Sequence, residues 1–424
     1  MVEWRRMQPV FSTLGAVLGL AVAIVLVLRR MQPAYALMAG ALLGGLAGGG
    51  GLAATMSHAV SGAQGMMPAV LRILASGVLA GALIRTGSAE RLAGAIVNAL
   101  GRRFAVAAVA LATLVVCAVG VFVDISVITV APIALAVARR ANLSVPGILL
   151  AMIGGGKAGN IISPNPNTIA TAEAFKVDLT ALMAVNVLPA LAALAATVAL
   201  AGWLAKRGAG AADVSPTATT DAPLPPLWAA LAGPVTVIVL LALRPLAGVT
   251  IDPFIALPLG GIAAILATGH LRQGFAFAEY GLSKVTGVAI LLVGTGTVAG
   301  IVKASALQGD VVALLKALHL PAFVLAPVSG VLMAGATAST TAGATIAAQT
   351  FSQALADAGV AALGGAAMIH AGATVIDSLP HGSFFHATGG AVFMDIRARL
   401  RLVPFEAAIG LVSTLASVVV YLVR

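Results

Sequence analysis

The chain has 424 residues, of which 60% are apolar and only 9% are charged, whereas a soluble domain carries about a quarter charged residues. Together with a mean hydropathy of +1.07, this composition excludes a water-soluble globule and a disordered chain. The single cysteine, Cys117, excludes a disulfide framework. The net charge of +10 comes with only 4% aromatic residues, too few to stack bases. We therefore expect a lipid bilayer, and no nucleic acid, as a partner.

Apolar runs long enough to cross a bilayer core of about 30 Å occur in two blocks separated by a polar segment. That segment, residues 205–226, contains four prolines and no periodic apolar pattern, which is typical of a solvated linker. We predict a first transmembrane repeat over residues 1–204, a cytoplasmic linker over 205–226 and a second transmembrane repeat over 227–424. The runs lie near residues 9–28, 34–55, 66–85, 104–138, 146–172, 181–204, 227–243, 253–269, 283–302, 322–355, 361–390 and 403–423.

The two blocks resemble each other in sequence. AMIGGGKAGNIISP at residues 151–164 aligns with AMIHAGATVIDSLP at residues 367–380 with five identities in fourteen positions, which indicates an internal repeat. Arginine pairs flank residues 104–138 at both ends, so both ends are cytoplasmic and the segment is a re-entrant hairpin or a pair of spans. Each half then crosses the membrane an odd number of times, so the second half is inverted relative to the first. The predicted fold is an all-α polytopic membrane protein with two inverted repeats, re-entrant hairpins and discontinuous transmembrane helices.

Three ionisable residues lie deep within apolar runs: Asp124, Lys157 and Asp377. A charge at bilayer depth costs roughly 3 kcal/mol or more, so each is a candidate functional residue. A structural pair such as Asp124 with Lys157 is the alternative, so Lys157 is either a substrate ligand or a charge-pair partner. Asp377 and His381 are the leading proton-coupling candidates, since a carboxylate beside an imidazole can titrate usefully, and Asp124 is the next. Arg399 follows an apolar run and is assigned to the cytoplasmic side.

Two stretches interrupt the apolar runs with prolines and polar residues. SPNPNT at residues 163–168 and SLPHGS at residues 378–383 cannot continue a helix, so each creates a half-helix N-terminus that attracts an anion. Residues 337–341 carry four hydroxyls in five positions, which favours a polar hairpin tip. The predicted substrate-binding residues are Ser163, Asn165, Asn167, Thr168, Thr337, Ser339, Thr340, Ser378, His381 and Ser383, and we predict no catalytic residue and no metal site.

At these segments the sequence resembles the gluconate permease (GntP) family, within the ion transporter superfamily of organic-acid carriers. Family members show an acidic residue in the first segment, a Pro-x-Pro break in the second, a Gly-Ser/Ala-Ala-Thr tip in the third and a polar His/Asp/Ser break in the last. The resemblance covers nearly the whole chain. It is carried by VFVDISVITVAPIALAVARRANLS (121–144), ISPNPNTIATAEAFKVDL (162–179), AGATASTTAG (334–343) and GATVIDSLPHGSFFHATGGAVF (372–393).

The resemblance implies two inverted repeats, a scaffold that dimerises, and hairpins and interrupted helices that move to give alternating access. It also implies a small organic anion as substrate and the proton as coupling ion. The chain departs from the family where sugar-acid permeases usually have a histidine ahead of the first proline break, since Asn160 or Asn165 stands there. The last break of these permeases usually pairs Asn with Asp, whereas this chain has Leu-Pro-His-Gly-Ser there. Fewer polar side chains for a polyhydroxy chain favour a shorter acid.

We predict a transporter and not an enzyme: a homodimeric, proton-coupled symporter in a bacterial inner membrane. Its substrate is a small carboxylate, either a gluconate-like sugar acid or a short hydroxy-monocarboxylate such as 3-hydroxybutyrate, and it needs no cofactor beyond a proton gradient. One alternative is a sodium-coupled di- or tricarboxylate carrier of the citrate type, with Asn and Thr oxygens of the breaks as sodium ligands. Another is a cation/proton antiporter that uses Asp124 and Asp377. A membrane enzyme or sensor is disfavoured because the sequence has no nucleophile elbow, phosphate loop or signalling domain.

Overall fold

The computed structural model describes residues 10–207, 223–317 and 321–423. These residues form an all-helical protein, in which the predicted all-α class is confirmed. The helices are α1 Thr13–Leu28, α2 Pro33–Ala47, α3 Gly51–Gln64, α4 Met67–Arg85, α5 Ser88–Leu100, α6 Ala105–Ala118, α7 Val123–Ala141, α8 Val145–Asn160, α9 Pro166–Phe175, α10 Leu179–Val185, α11 Val187–Ala205, α12 Leu227–Ala247, α13 Pro253–Ala267, α14 Gly274–Lys303, α15 Leu307–Ala317, α16 Leu325–Thr337, α17 Thr340–Asp357, α18 Ala362–Gly372, α19 Ser383–Ala391, α20 Ile396–Leu400 and α21 Val403–Val423.

Four helical segments of the described chain are long and apolar enough to cross a membrane: Met67–Arg85, Val187–Ala205, Leu271–Lys303 and Ile396–Val423. Several other apolar helices, such as α6 and α16, have 14 and 13 residues. At about 1.5 Å per residue they are roughly 20 Å long, too short to span alone. Within the predicted runs 104–138 and 322–355, α6 packs against α7 and α16 packs against α17, so each run forms a helical hairpin.

Glycine permits the closest helix contacts. Where α4 crosses α14, a Cβ on Gly281 would lie 1.8 Å from the carbonyl oxygen of Gly77, and a Cβ on Gly81 would lie 2.1 Å from that of Phe277. Backbone atoms cannot move aside as a flexible side chain can, so only glycine fits. Close approach through small residues is the usual source of helix association in lipid, where the hydrophobic effect between helices is absent. Helices α1 to α4, α13 and α14 pack together in this way.

The order of elements recurs in the second half. The hairpin α6–α7 and the interrupted pair α8–α9 in the first half have counterparts in the hairpin α16–α17 and the interrupted pair α18–α19. The two sets cross-pack: α17 lies against α9, α7 lies against α19, and the following long helices α11 and α21 contact each other. Each hairpin thus supports the interrupted helix of the other half. The division into residues 1–204, 205–226 and 227–424, and the inversion of the halves, stay predictions.

A buried ion pair joins α20 to α21. The guanidinium of Arg399, which is 1% exposed, binds the carboxylate of Glu406 and donates to Thr388 Oγ1 at 3.2 Å. The same guanidinium lies 4.8 Å from the centre of the Phe385 ring. The charge of Arg399 is therefore balanced by buried protein groups.

We expect Arg399→Leu to lower the free energy of unfolding by about 3 kcal/mol, because it leaves the Glu406 carboxylate buried without its cation. The double variant Arg399→Leu/Glu406→Leu should regain most of that loss, since apolar pairs can replace buried ion pairs. Thermal unfolding of the purified protein in detergent measures both. A double variant no more stable than the sum of its single changes would contradict this account.

Candidate functional site

The first break, residues 161–165, interrupts the helix between α8 and α9. Asn165 caps α9, because its Oδ1 accepts from the backbone N–H of Asn167 at 3.0 Å and of Thr168 at 3.2 Å. Its Nδ2 donates to the carbonyl and side-chain oxygens of Asn160, at 2.8 and 2.6 Å. All of these residues are buried. Neutral amides therefore satisfy part of the backbone that the break frees from helical hydrogen bonding.

The second break, residues 373–382, separates α18 from α19 and is built around a charge. Asp377 is 2% exposed. Its Oδ1 lies 2.6 Å from Lys157 Nζ and accepts from Ser378 Oγ at 3.2 Å, and its Oδ2 accepts from Thr340 Oγ1 at 2.5 Å. Lys157 Nζ also donates to the carbonyl oxygen of Thr374 at 2.7 Å. The two ions neutralise each other and are surrounded by hydrogen-bonding groups, as a buried pair requires.

The start of α17 connects the two breaks. Ala338 adopts a left-handed conformation with φ 46°, which turns the chain between α16 and α17, and Ser339 caps α17 by accepting from the N–H of Ala342 at 3.3 Å. The next two hydroxyls then point to opposite breaks. Thr340 donates to Asp377 in the second break, whereas Thr341 donates to Asn167 Oδ1 at 2.5 Å beside the first. One helix N-terminus thus joins both interrupted helices in a single polar site.

Lys157 lies in an ion pair, but its partner is not the one suggested by the sequence. The suggested pairing of Lys157 with Asp124 is wrong: Lys157 pairs with Asp377 from the other half of the chain. Asp124 lies in the first turn of α7, where its Oδ1 accepts from the N–H of Ile125 at 2.9 Å. A carboxylate at this place stabilises the helix N-terminus. Lys157 is thus neutralised by an ion pair, whereas Asp124 accepts a hydrogen bond from a backbone N–H.

Several predicted residues lie at the edge of this site. Ser163 Oγ donates to the carbonyl oxygen of Cys117 at 2.7 Å and so ties the first break to the end of α6. Thr337 Oγ1 donates within its own helix, to Met333 at 2.8 Å. His381 is exposed, with Nε2 3.3 Å from the carbonyl oxygen of Ala336, and Ser383 is exposed at the start of α19. The structure therefore brings together Lys157, Asn165, Asn167, Thr168, Thr340, Asp377 and Ser378.

Sequence reasoning left two residues out of the predicted set. Asn160 contacts Asn165 and also accepts from Asn167 Nδ2 at 3.0 Å, and Thr341 bonds to Asn167. A signal for Asn160 is present in the sequence: it stands seven positions before Asn167, with a proline-interrupted segment between them. For Thr341 the signal is only its place in the hydroxyl-rich tip.

A second polar cluster fastens the far end of α9. The guanidinium of Arg72, in α4, binds Glu173 of α9 and donates to Asp252 in the loop before α13, with Nη2 2.8 Å from Oδ2. Hydrogen bonding from Arg72 lowers the pKa of Asp252 below its usual range. The cluster borders a cavity of about 220 Å³. It connects the helix that carries Asn167 to the helices packed around α4.

A larger cavity of about 770 Å³ lies beside the first break. It is bordered by the end of α6, by α10 and by α12, and by Ile162 and Pro164 of the break itself. Most of its lining is apolar. The polar site is thus close to an open space between the interrupted helix and α12.

Hairpins and interrupted helices that meet around a buried polar site define a class of membrane protein, the secondary transporters. The sequence matches the family model described as GntP family permease over residues 11–254. The chain belongs to the GntP permease family, so the predicted family and the prediction that the protein is not an enzyme are confirmed. It is a transporter that resides in a membrane.

Similar proteins agree with this assignment. A Haemophilus influenzae protein named as an uncharacterized transporter is 52% identical over 410 residues, which cover 97% of this chain and 98% of that protein. A second protein of Haemophilus influenzae, named as an uncharacterized permease, is 27% identical over 197 residues, which cover 46% of this chain and 40% of that protein. The crystal structure of the Alcanivorax borkumensis YdaH transporter, described as revealing an unusual topology, superposes with a TM-score of 0.62 and 18% identity over 87% of each chain. This last likeness shows the fold.

We expect Lys157→Met and Asp377→Asn each to lower the free energy of unfolding by about 3 kcal/mol, because either change leaves one buried charge without its counter-ion. In the double variant Lys157→Met/Asp377→Asn no unpaired charge remains, so much of the stability should return. Thermal unfolding in detergent gives all three values. Additive losses would show that the two side chains do not depend on each other.

Proposed function

We propose that the chain is a proton-coupled symporter of a small organic acid, either a gluconate-like sugar acid or a short hydroxy-monocarboxylate such as 3-hydroxybutyrate. The observation that carries the proposal is the Lys157–Asp377 pair, with each side chain 3% exposed, at the point where both breaks meet α17. In an apolar environment, a buried ammonium can bind a carboxylate through charge-assisted hydrogen bonds. Its present partner is a carboxylate that can be protonated.

The pair couples substrate to proton by exchange. An incoming carboxylate takes the place of Asp377 beside Lys157 Nζ, and Asp377 then lies buried without a cation. Because an isolated carboxylate at low dielectric favours its neutral form, Asp377 takes up a proton. Release of the acid on the other side restores the pair and expels the proton. One carboxylate therefore moves with one proton, and transport of a monoanion moves no net charge.

The surrounding groups fit a hydroxy acid. Thr340 and Ser378 already donate to a carboxylate oxygen of Asp377, so they can donate to the substrate carboxylate that replaces it. Asn167 and Thr341 lie next to Thr340 and can form hydrogen bonds with a hydroxyl group of the substrate. We place the transporter as a homodimer in the inner membrane of a bacterium, with the hairpins and interrupted helices moving to give alternating access.

The sodium-coupled alternative has less support at this site. Asn165 Oδ1 accepts from the N–H groups of Asn167 and Thr168 and from the hydroxyl of Thr168, and Asn160 Oδ1 accepts from two amides. Oxygens that already accept several protons offer few lone pairs to a cation. The antiporter alternative needs Asp124 and Asp377 to act together, whereas Asp124 lies in the first turn of α7 and accepts from the N–H of Ile125, and Asp377 pairs with Lys157.

The experiment that tests the proposal is uptake of radiolabelled gluconate and 3-hydroxybutyrate into proteoliposomes, under an imposed pH gradient or an imposed sodium gradient. We expect the pH gradient alone to drive accumulation of at least one of the two acids, with no dependence on membrane potential. Accumulation only with sodium would overturn proton coupling. If neither acid moved under either gradient, the substrate class would be wrong.

Asp377→Asn provides a sharper test of the exchange mechanism. The variant removes the group that carries the proton but leaves Lys157 free to bind a carboxylate, so we expect loss of accumulation down a pH gradient while exchange of labelled for unlabelled acid continues. The matched control is Asp395→Asn, since Asp395 is an exposed cap of α20 and Asn caps equally well. Proton-driven accumulation by Asp377→Asn at the control rate would contradict the mechanism.

A further inference from the structure

A row of polar side chains winds along helix α17. Every fourth residue from Thr341 is polar: Thr341, Thr345, Gln349, Gln353 and Asp357. Residues four apart are neighbours on a helix surface, so these side chains form one continuous row, which turns by about 40° around the helix axis at each step because a turn has about 3.6 residues. At about 1.5 Å per residue the row is about 24 Å long. It runs from the hydrogen bond with Asn167 at the site to the end of the helix.

The row passes from exposed positions into the buried interior. Asp357 and Gln353 are exposed, and Gln353 Nε2 donates to Asp357 Oδ1 at 2.8 Å. Gln349 is 2% exposed and Thr345 is fully buried. Apolar side chains would be the ordinary choice at such positions in a membrane protein, because a buried polar group must find a hydrogen-bond partner.

The two buried members of the row have unpartnered polar atoms. Among the residues that the structure describes, neither Thr345 Oγ1 nor Gln349 Nε2 has a hydrogen-bond partner. Buried threonines elsewhere, such as Thr197 and Thr295, donate to the carbonyl oxygen four residues earlier. Thr345 does not do so. Buried polar atoms without a protein partner point to water or an ion beside them.

A third unpartnered group lies on the neighbouring helix. His370 of α18 is fully buried, and within the described chain both of its ring nitrogens lack a hydrogen-bond partner. Helix α18 packs against α17. In the sequence, His370 lies between two points of contact with α17: a Cβ on Gly365 would lie 3.7 Å from Leu355, and Asp377 accepts from Thr340.

We propose that this row on α17, together with His370, is a hydrated seam along which the coupling proton passes between water at Asp357 and the carboxylate of Asp377, which Thr340 contacts at the start of the helix. A proton that enters at the Asp357 end moves along hydrogen-bonded water, and an equivalent proton is delivered to the carboxylate of Asp377. No other bond changes. The inference rests on the proposed proton coupling, but hydration of the seam can be measured without any substrate.

The test of hydration is cysteine accessibility in the full-length protein purified in detergent. In a Cys117→Ala background, which removes the sole cysteine, Thr345→Cys and Gln349→Cys are treated with the small water-soluble reagent MTSEA and followed by mass spectrometry. The matched controls are Ala344→Cys and Ala347→Cys, which are fully buried on other faces of α17. We expect labelling at the seam to be at least about tenfold faster than at the controls, since thiol reactivity requires access of water and reagent. Equal, slow labelling at all four positions would overturn the seam.

The role of the seam in proton movement is tested with Thr345→Val and Gln349→Leu, which remove the polar atoms at nearly constant volume. We expect the initial rate of pH-driven uptake of 3-hydroxybutyrate or gluconate to fall by about a hundredfold, the lower end of what one positioned proton-transfer group contributes, while exchange of labelled for unlabelled acid is retained. Unchanged pH-driven uptake would overturn the proton role. If the unmodified protein took up neither acid, the proposed function would fail, and the labelling result would still decide whether the seam is hydrated.

Discussion

The central constraint on this protein is that a helix interrupted inside a bilayer frees backbone N–H and C=O groups that lipid cannot satisfy. At both breaks, side chains form hydrogen bonds with backbone groups that the interruption frees. At the first break, Asn165 supplies a cap for α9 and binds back to Asn160. At the second, the carbonyl oxygen of Thr374 accepts from the ammonium of Lys157. The polar groups that make a binding site are thus the same groups that make an interrupted helix tolerable.

The second break also contributes the carboxylate of an ion pair, and this ion pair joins the two halves of the chain. Lys157 comes from α8 and Asp377 from the break after α18, so each charge is neutralised by a residue of the other half. Thr340 and Thr341 extend the connection, because consecutive hydroxyls on α17 bond to the second break and to Asn167. A movement of one interrupted helix relative to the other must therefore change the partners of Lys157. Substrate binding is a natural cause of such a change.

Much of the fold could be predicted because its signals are local. Prolines and polar residues at 163–168 and 378–383 mark the breaks, and the lengths of apolar runs mark the hairpins. The burial of Lys157 and Asp377 could be predicted as well, since both lie far from the ends of apolar runs. Their pairing could not, because they are separated by 220 positions and periodicity relates only residues on the same helix. The burial of Arg399 could not be predicted either, because its position after an apolar run gives no sign of the short α20, which brings it against Glu406.

The ion pair also bears on the relation between the halves. In the alignment of residues 151–164 with 367–380, Lys157 falls opposite Ala373 and Asp377 falls opposite Ile161. A symmetric pair of repeats would place two ammonium groups and two carboxylates near the centre, or none. Here each half contributes one charged group from a position where the other half is apolar. One ammonium and one carboxylate form a single site of zero net charge, so a singly charged anion can enter without leaving excess charge only if one positive charge enters with it.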